Sequence, residues 1–223
     1  KVDNVRTRLA SQWMWSTSTN KWDWESTKMQ AVYKWAEMLQ DRNISITLNA
    51  GWHLHDFIYF YDMHFNGDAN KYNSTNGRSS IPEVNYLLGY EDNLTVIANS
   101  YGEDSKAASI ETMGRELGLN LTDGEYSFYS VAAARYCEWI KQALNAFKAH
   151  GINNIEYVLP FTETGYKRDG DPTYSYDEWI IMTIGLQNAL KDAGLRDQYK
   201  IVGPCDNWRA DDGSEPISLL VKH

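Results

Sequence analysis

The sequence predicts an α/β fold of the (β/α)8 TIM-type barrel class, present in part, with about four βα units. Three observations predict it. Short β-branched or apolar runs alternate with long amphipathic helical patterns, the signature of parallel strands joined by right-handed crossovers. No Gly-x-Gly-x-x-Gly or phosphate-binding loop follows any of those runs, which weighs against a nucleotide-binding doubly wound sheet. Polar and aromatic residues follow every predicted strand instead. That suits a barrel mouth, where groups past the strand ends converge on one cleft. A complete barrel takes about 250 residues, and the 223 residues here include a long insertion. Residues 1–223 therefore read as a single partial barrel domain.

The first element is a strand-like run from Val5 to Gln12. A Ser/Thr/Asn-rich loop bearing Trp13, Trp15, Trp22 and Trp24 follows it. From Thr27 to Asp41, apolar residues Met29, Val32, Tyr33, Trp35, Ala36 and Leu39 recur at helical spacing, and Ser26 or Thr27 can serve as the N-cap. Ser45 to Gly51 is short and β-branched, a strand that delivers Trp52, His53 and His55 into the next loop.

Periodicity then fades from about 54 to 127, in a segment rich in Tyr, Asn, Asp, Ser and Gly. It reads as an insertion holding a weak strand at Leu94 to Ala98 and a short helix near Ala107 to Leu117. Connections of this length usually form lids or binding walls, or are disordered.

Regularity returns at Phe128 to His150, where Val131, Ala134, Tyr136, Trp139, Ile140, Ala143, Leu144 and Phe147 keep helical spacing and Gly151 closes the C-terminus. Ile155 to Phe161 is a buried strand ended by Pro160 and a polar turn, which sets Glu163 just past its C-terminal end. Asp177 to Ala193 repeats the helical pattern through Trp179, Ile180, Ile184, Leu186 and Leu190, and stops at Gly194. Tyr199 to Gly203 is the last strand, with Asp206, Asn207 and Trp208 after it. A further helix is expected to begin at Pro216 to Val221.

Composition narrows the partners. With 43% apolar and 13% aromatic residues the chain can bury a core. Its formal net charge is -9 and no predicted element gathers Lys and Arg, so no nucleic-acid partner is expected. No apolar run reaches the ~18 residues needed to span a bilayer, and no signal-peptide pattern is present, so no membrane partner is expected either. The start at Lys1 is expected to mark a processed or excised segment. Cys137 and Cys205 make neither a disulfide framework nor a metal site by spacing, and Cys137 reads as core. Asn43, Asn73, Asn93 and Asn120 head Asn-x-Ser/Thr triplets, which also arise by chance.

Taken together, the helix, Gly-Ile, strand and Glu-bearing turn around Glu163, the Tyr/Trp-rich helix, Gly-Leu, and Lys-Ile-Val-Gly-Pro at 200–204 resemble the middle of clan A retaining glycoside hydrolases. The resemblance covers roughly residues 1 to 215. It makes Val5 to Gln12 similar to the second barrel strand, Ser45 to Gly51 to the third, Ile155 to Phe161 to the fourth and Tyr199 to Gly203 to the fifth. Glu163 then falls on the acid/base carboxylate. The family's Asn-Glu pair reads Thr162-Glu163 here, and the nucleophilic Glu that the family carries after its seventh strand has no counterpart in residues 1–223. The resemblance implies an oligo- or polysaccharide substrate and a secreted or cell-surface setting. No cofactor is expected.

The chemistry sets the requirement. Retaining hydrolysis uses two carboxyls about 5 to 5.5 Å apart, one attacking the sugar carbon and one protonating the leaving oxygen. To act as the acid, Glu163 must stay protonated near neutral pH, which takes an apolar wall or a neighbouring carboxylate. Phe161, Tyr166, Trp52 or Trp208 can supply that wall. The plain alternative is a solvated loop carboxylate.

Aromatic faces stack on the apolar faces of sugar rings, so the loops bearing Trp13, Trp15, Trp22, Trp24, Trp52 and Trp208 suit a carbohydrate groove. Most of them are expected to be structural, and Trp52 and Trp208 are singled out because each follows a strand. Trp35, Trp139 and Trp179 lie on helix faces and read as core. Asn49, Arg6 and Arg8 are weaker candidates for sugar hydroxyls, and His53, His55, Thr162, Tyr166 and Asn207 complete the substrate-binding set.

Two rival readings stand beside hydrolysis by two carboxylates. His53 and His55, with Asp56 and His64 nearby, could share a divalent metal and generate a hydroxide, although hydrogen-bonding loop histidines explain them as well and no metal is assigned. Asp169-Gly170-Asp171 lacks the spaced ligands of a calcium loop and reads as a turn. The other rival binds glycans without cleaving them, as a half-barrel. Its first and last sheet edges would stand unpaired, a liability that a completing chain or a dimer across those edges would remedy.

Overall fold

Among the described residues, apolar runs separated by helical stripes fold into a four-stranded parallel sheet whose buried face packs into a core with the helices. A computed structural model describes residues 2–9, 13–16, 18, 21–49, 105–159 and 176–202. In chain order the elements begin with β1 (Asn4–Arg8), the two-residue strands β2 (Trp15–Ser16) and β3 (Lys21–Trp22), helix α1 (Thr27–Gln40) and strand β4 (Ser45–Asn49). They continue with α2 (Ser105–Glu116), α3 (Asp123–Ala149), β5 (Ile155–Leu159), α4 (Tyr176–Asp192) and β6 (Lys200–Ile201). The sheet order is β1-β4-β5-β6 and every pairing in it is parallel. Sequence neighbours are thus spatial neighbours, with no reversal among the described strands. The α/β class is as expected. The expected strand at Leu94 to Ala98, the helix at Pro216 to Val221 and the Asp169–Asp171 turn lie outside the described residues.

The registers give the sheet two chemically different faces. Thr7, Leu48, Val158 and Ile201 align across all four strands, and Leu48 and Val158 are fully buried in the core beneath the helices. One residue earlier, Arg6, Thr47, Tyr157 and Lys200 align and project from the other face, because successive strand residues alternate sides. Arg6 and Lys200 are exposed and Thr47 and Tyr157 half-buried. The Lys200 ammonium sits 5.5 Å from the centre of the Tyr157 ring. Asn4 donates to the Ser45 hydroxyl at 2.7 Å and accepts from the Thr47 hydroxyl at 2.8 Å, which ties β1 to β4 along the same polar face.

Capping explains where the helices start. Ser26 is the N-cap of α1: its hydroxyl accepts from the Met29 amide and donates to the Trp13 carbonyl, joining the helix to the preceding loop. Helix α3 begins at Asp123, five residues before the expected start at Phe128. Thr122 and Glu125 form a capping box there, with Asp123 and Glu125 in the first turn favoured by the helix dipole. Gly151 and Gly194 end α3 and α4 with φ of +75° and +66°, a region where a side chain would be strained.

Helix α2 falls inside the expected insertion yet belongs to the core. Its Ala107 and Ile110, with Leu119 just beyond, are buried with α3 and α4 residues, and residues 54–104 of that segment lie outside the described residues. Cys137 is buried as expected, its thiol donating to the Met182 carbonyl.

The Trp-rich loop holds structure that its sequence hides. β2 and β3 form a small antiparallel hairpin in which Trp15 and Trp22 are paired. Four residues in all are too few to show a period of two. Trp22 and Trp24 then pack on Trp139 of α3, with ring centres 5.9 Å and 6.2 Å away. Just past Trp24, Glu25 meets His150 at the end of α3 at 2.9 Å, and the His150 ring stacks on Tyr33 at 3.9 Å. The hairpin is therefore fastened to helix α3 by both apolar and polar contacts.

Candidate functional site

In a parallel sheet, groups that act together collect past the carboxyl ends of the strands, so the last register row is the floor of any site. That row is Arg8, Asn49 and Leu159 on β1, β4 and β5. It lies on the face that carries Arg6 and Tyr157, not on the helix face. Asn49 is only 5% exposed and Leu159 3%, whereas Arg6 and Lys200 one step below are open to solvent. On the middle strands burial rises toward the carboxyl end, from half-buried Thr47 and Tyr157 to buried Asn49 and Leu159. Asn49 also accepts from the Leu9 amide through its carbonyl at 2.8 Å, which extends the β1–β4 ladder by one bond and fixes the floor.

Of the candidates for sugar hydroxyls, Asn49 and Arg6 have side chains within the described residues, Asn49 5% exposed and Arg6 open to solvent. Trp52, His53, His55, Thr162, Glu163, Tyr166, Asn207 and Trp208 lie outside the described residues. Their spacing from the floor row is still fixed by sequence. Trp52 follows Asn49 by three residues and His53 by four; Thr162 and Glu163 follow Leu159 by the same three and four. Because Asn49 and Leu159 are register partners, both connections leave the sheet from one row on adjacent strands, roughly 4.8 Å apart.

The tryptophans divide by role. Trp22 and Trp24 serve the core through Trp139, and the candidate sugar platform loses those two rings. Trp139 and Trp179 are buried, as expected of helix-face residues. Trp35 is packed against the core as expected, but it is only half-buried and also lines an open groove with Trp13 on the flank of β1. Sequence spacing missed this because residue 35 sits on the border of the α1 core stripe. Tyr157 and Lys200, which share the open face, were also not signalled, since each lies within a short strand whose apolar neighbours dominate the pattern.

A cleft of about 620 Å3 opens at the opposite, amino-terminal end of the sheet, lined by Asp3, Asn4, Gln40, Ser45, Asn154 and Glu156 among others. Several of its polar groups hold the fold. The Gln40 side chain accepts from the Asn153 amide and donates to the Gly151 carbonyl, and Asn154 donates to the Ile44 carbonyl. Among the described residues no group of three or more His, Cys, Asp or Glu side chains is placed to hold a metal ion, and no helix is long and apolar enough to cross a membrane. No family model, curated protein or solved structure matches this chain.

Proposed function

We infer that residues 1–223 form the middle of a (β/α)8 barrel belonging to a retaining glycoside hydrolase that acts on an oligo- or polysaccharide, with Glu163 as its acid/base. The observation that carries this reading is the unreversed parallel order β1-β4-β5-β6 among the described strands, with the described helices packed on the apolar face. A doubly wound sheet reverses its strand order and covers both faces, whereas a barrel keeps chain order and turns one face inward. The enclosed floor at Asn49 and Leu159 supports a cleft at the carboxyl end, and Glu163 follows that floor by four residues.

In this reading a carboxylate outside residues 1–223 attacks the sugar carbon while Glu163 gives its proton to the departing oxygen. The resulting glycosyl ester is then opened by water, whose proton returns to Glu163. Asn49, Thr162 and the His53–His55 loop hold sugar hydroxyls, and Trp52, Tyr166 and Trp208 supply ring faces, with Asn207 beside them.

The test compares Glu163→Gln with the native protein, as its source makes it, on two substrate types. Hydrolysis of natural oligosaccharides should fall by about 10²–10⁴-fold, the range of a lost general acid. Hydrolysis of 2,4-dinitrophenyl glycosides, whose leaving group needs no proton, should keep its first step. Equal losses on both, or none, would remove Glu163 from the mechanism. Oligosaccharide binding without turnover in either protein would favour a glycan-binding role.

A further inference from the structure

Helices α2, α3 and α4 pack against one another and leave a pocket of about 410 Å3 between them. Small buried residues make its floor: Ala134 of α3 with Gly185 and Ala189 of α4. Ile110 and Met113 of α2 form an apolar wall. The rim is polar and comes from two helices, with Lys106 near the start of α2 and Asn188, Lys191 and Asp192 toward the end of α4. No strand residue lines it, so it is separate from the floor at Asn49 and Leu159. A pocket of this size, apolar inside with a few polar groups at one edge, has the makeup of a small-ligand site.

Two features set the chemistry of the ligand. The side-chain amide of half-buried Asn188 donates to the Met113 sulfur at 3.5 Å. A thioether is a weak acceptor, and a carboxylate oxygen arriving at the same amide would make the stronger, charge-assisted bond. The lining also holds two lysines and one aspartate, an excess of positive charge in a chain whose net charge is -9. Lys191 in the last turn of α4 suits the helix dipole as well, but the dipole accounts for neither the sulfur-bonded amide nor the cavity. We propose that this pocket binds a small amphipathic carboxylate, its apolar body on the Ala134–Gly185–Ala189 floor beside Ile110 and its carboxylate at Asn188 and Lys191. The small floor residues leave the room that an aliphatic chain fills. Bound there, the ligand touches all three helices and ties α2 to the α3–α4 pair. The proposal stands apart from the glycosidase reading.

The test titrates the native protein with octanoate and, separately, with octylammonium, followed by amide chemical shifts. Octanoate should bind with a Kd of about 0.1–1 mM, ordinary for a ligand of this size, and should move the amides of Ile110, Ala134 and Ala189. Octylammonium has the same tail and the opposite charge. Because the whole chain is acidic, indiscriminate binding would favour the cation, whereas the pocket should take it at least about tenfold more weakly than the anion. Asn188→Leu combined with Lys191→Glu should weaken octanoate by about tenfold or more, with an unchanged far-ultraviolet circular dichroism spectrum. No shift up to about 10 mM octanoate, well above the expected Kd, overturns the proposal. So does octylammonium binding as tightly as octanoate, shifts that spare those three amides, or a folded double variant that binds octanoate as before. None of these outcomes touches the Glu163 test, so the two readings fail separately.

Discussion

Gly185 of α4 lies so close to Ala133 of α3 that a β-carbon on residue 185 would stand 2.6 Å from the Ala133 β-carbon. The two helices flank β5 in the chain, α3 before it and α4 after it. This contact therefore sets how closely α3 and α4 pack together.

Gly185→Ala should destabilise the fold although alanine is the better helix former. The overlap falls on the α3 backbone as well as on its side chain, so the helices must separate, at a cost of about 1–3 kcal/mol against a propensity gain of about 1 kcal/mol. Gly114→Ala provides the control. Its new methyl would meet the ends of the Tyr126 and Ile181 side chains at 3.2 Å and 3.3 Å, which can yield. Urea unfolding should show a lower midpoint for Gly185→Ala and a much smaller change for Gly114→Ala.

The Thr122 cap makes a second test. Its hydroxyl accepts from the Glu125 amide while the Glu125 carboxylate accepts from the Thr122 amide. Thr122→Ala should cost about 1 kcal/mol. The loss should appear as faster amide exchange in the first turn of α3, with the helix beyond Phe128 unchanged.

Alkaline pH offers a third. Tyr33 donates to the Trp24 carbonyl at 2.9 Å, and burial, reinforced by the nearby Glu25 and Asp23 charges, raises its phenol from 10.0 to about 12. Below pH 10 the phenol is protonated in folded and unfolded chains alike, and its native hydrogen bond is fully present. Between pH 10 and 12 the unfolded phenol ionises while the folded one holds its proton, so this contribution is lost as pH rises. Tyr33→Phe should be less stable near neutral pH by about 1 kcal/mol. The gap between it and wild type should narrow from pH 10 upward, measured by urea unfolding of the pair at each pH. A gap that widens there would contradict the assignment.

How much the sequence showed follows from the length of each pattern. The α1 helix, its Ser26 cap and the Gly151 and Gly194 stops were legible because a dozen or more residues repeat one period between clear punctuation. The α3 start was not, since Asp123 to Ser127 is polar and precedes the apolar stripe, and only the Thr122–Glu125 pair signals it. The β2–β3 hairpin spans too few residues for any period. The site was legible only as positions after strands, because no local period runs through the residues around Trp52, Glu163 and Trp208. Asn49 was readable as a strand-end amide, but neither its burial nor its register with Leu159 is contained in any local signal.

The most direct test of the central claim is azide rescue of Glu163→Ala in the native protein, with 2,4-dinitrophenyl glycosides as substrates. If Glu163 is the acid/base, the variant still forms the glycosyl ester and stalls for want of a base. Azide, which needs none, should then raise turnover by about tenfold or more, toward the scale of a lost general base. It should also leave a glycosyl azide of retained configuration. Turnover equal to wild type without azide, or a variant that azide neither accelerates nor traps, would show that the carboxylate doing this chemistry is not Glu163.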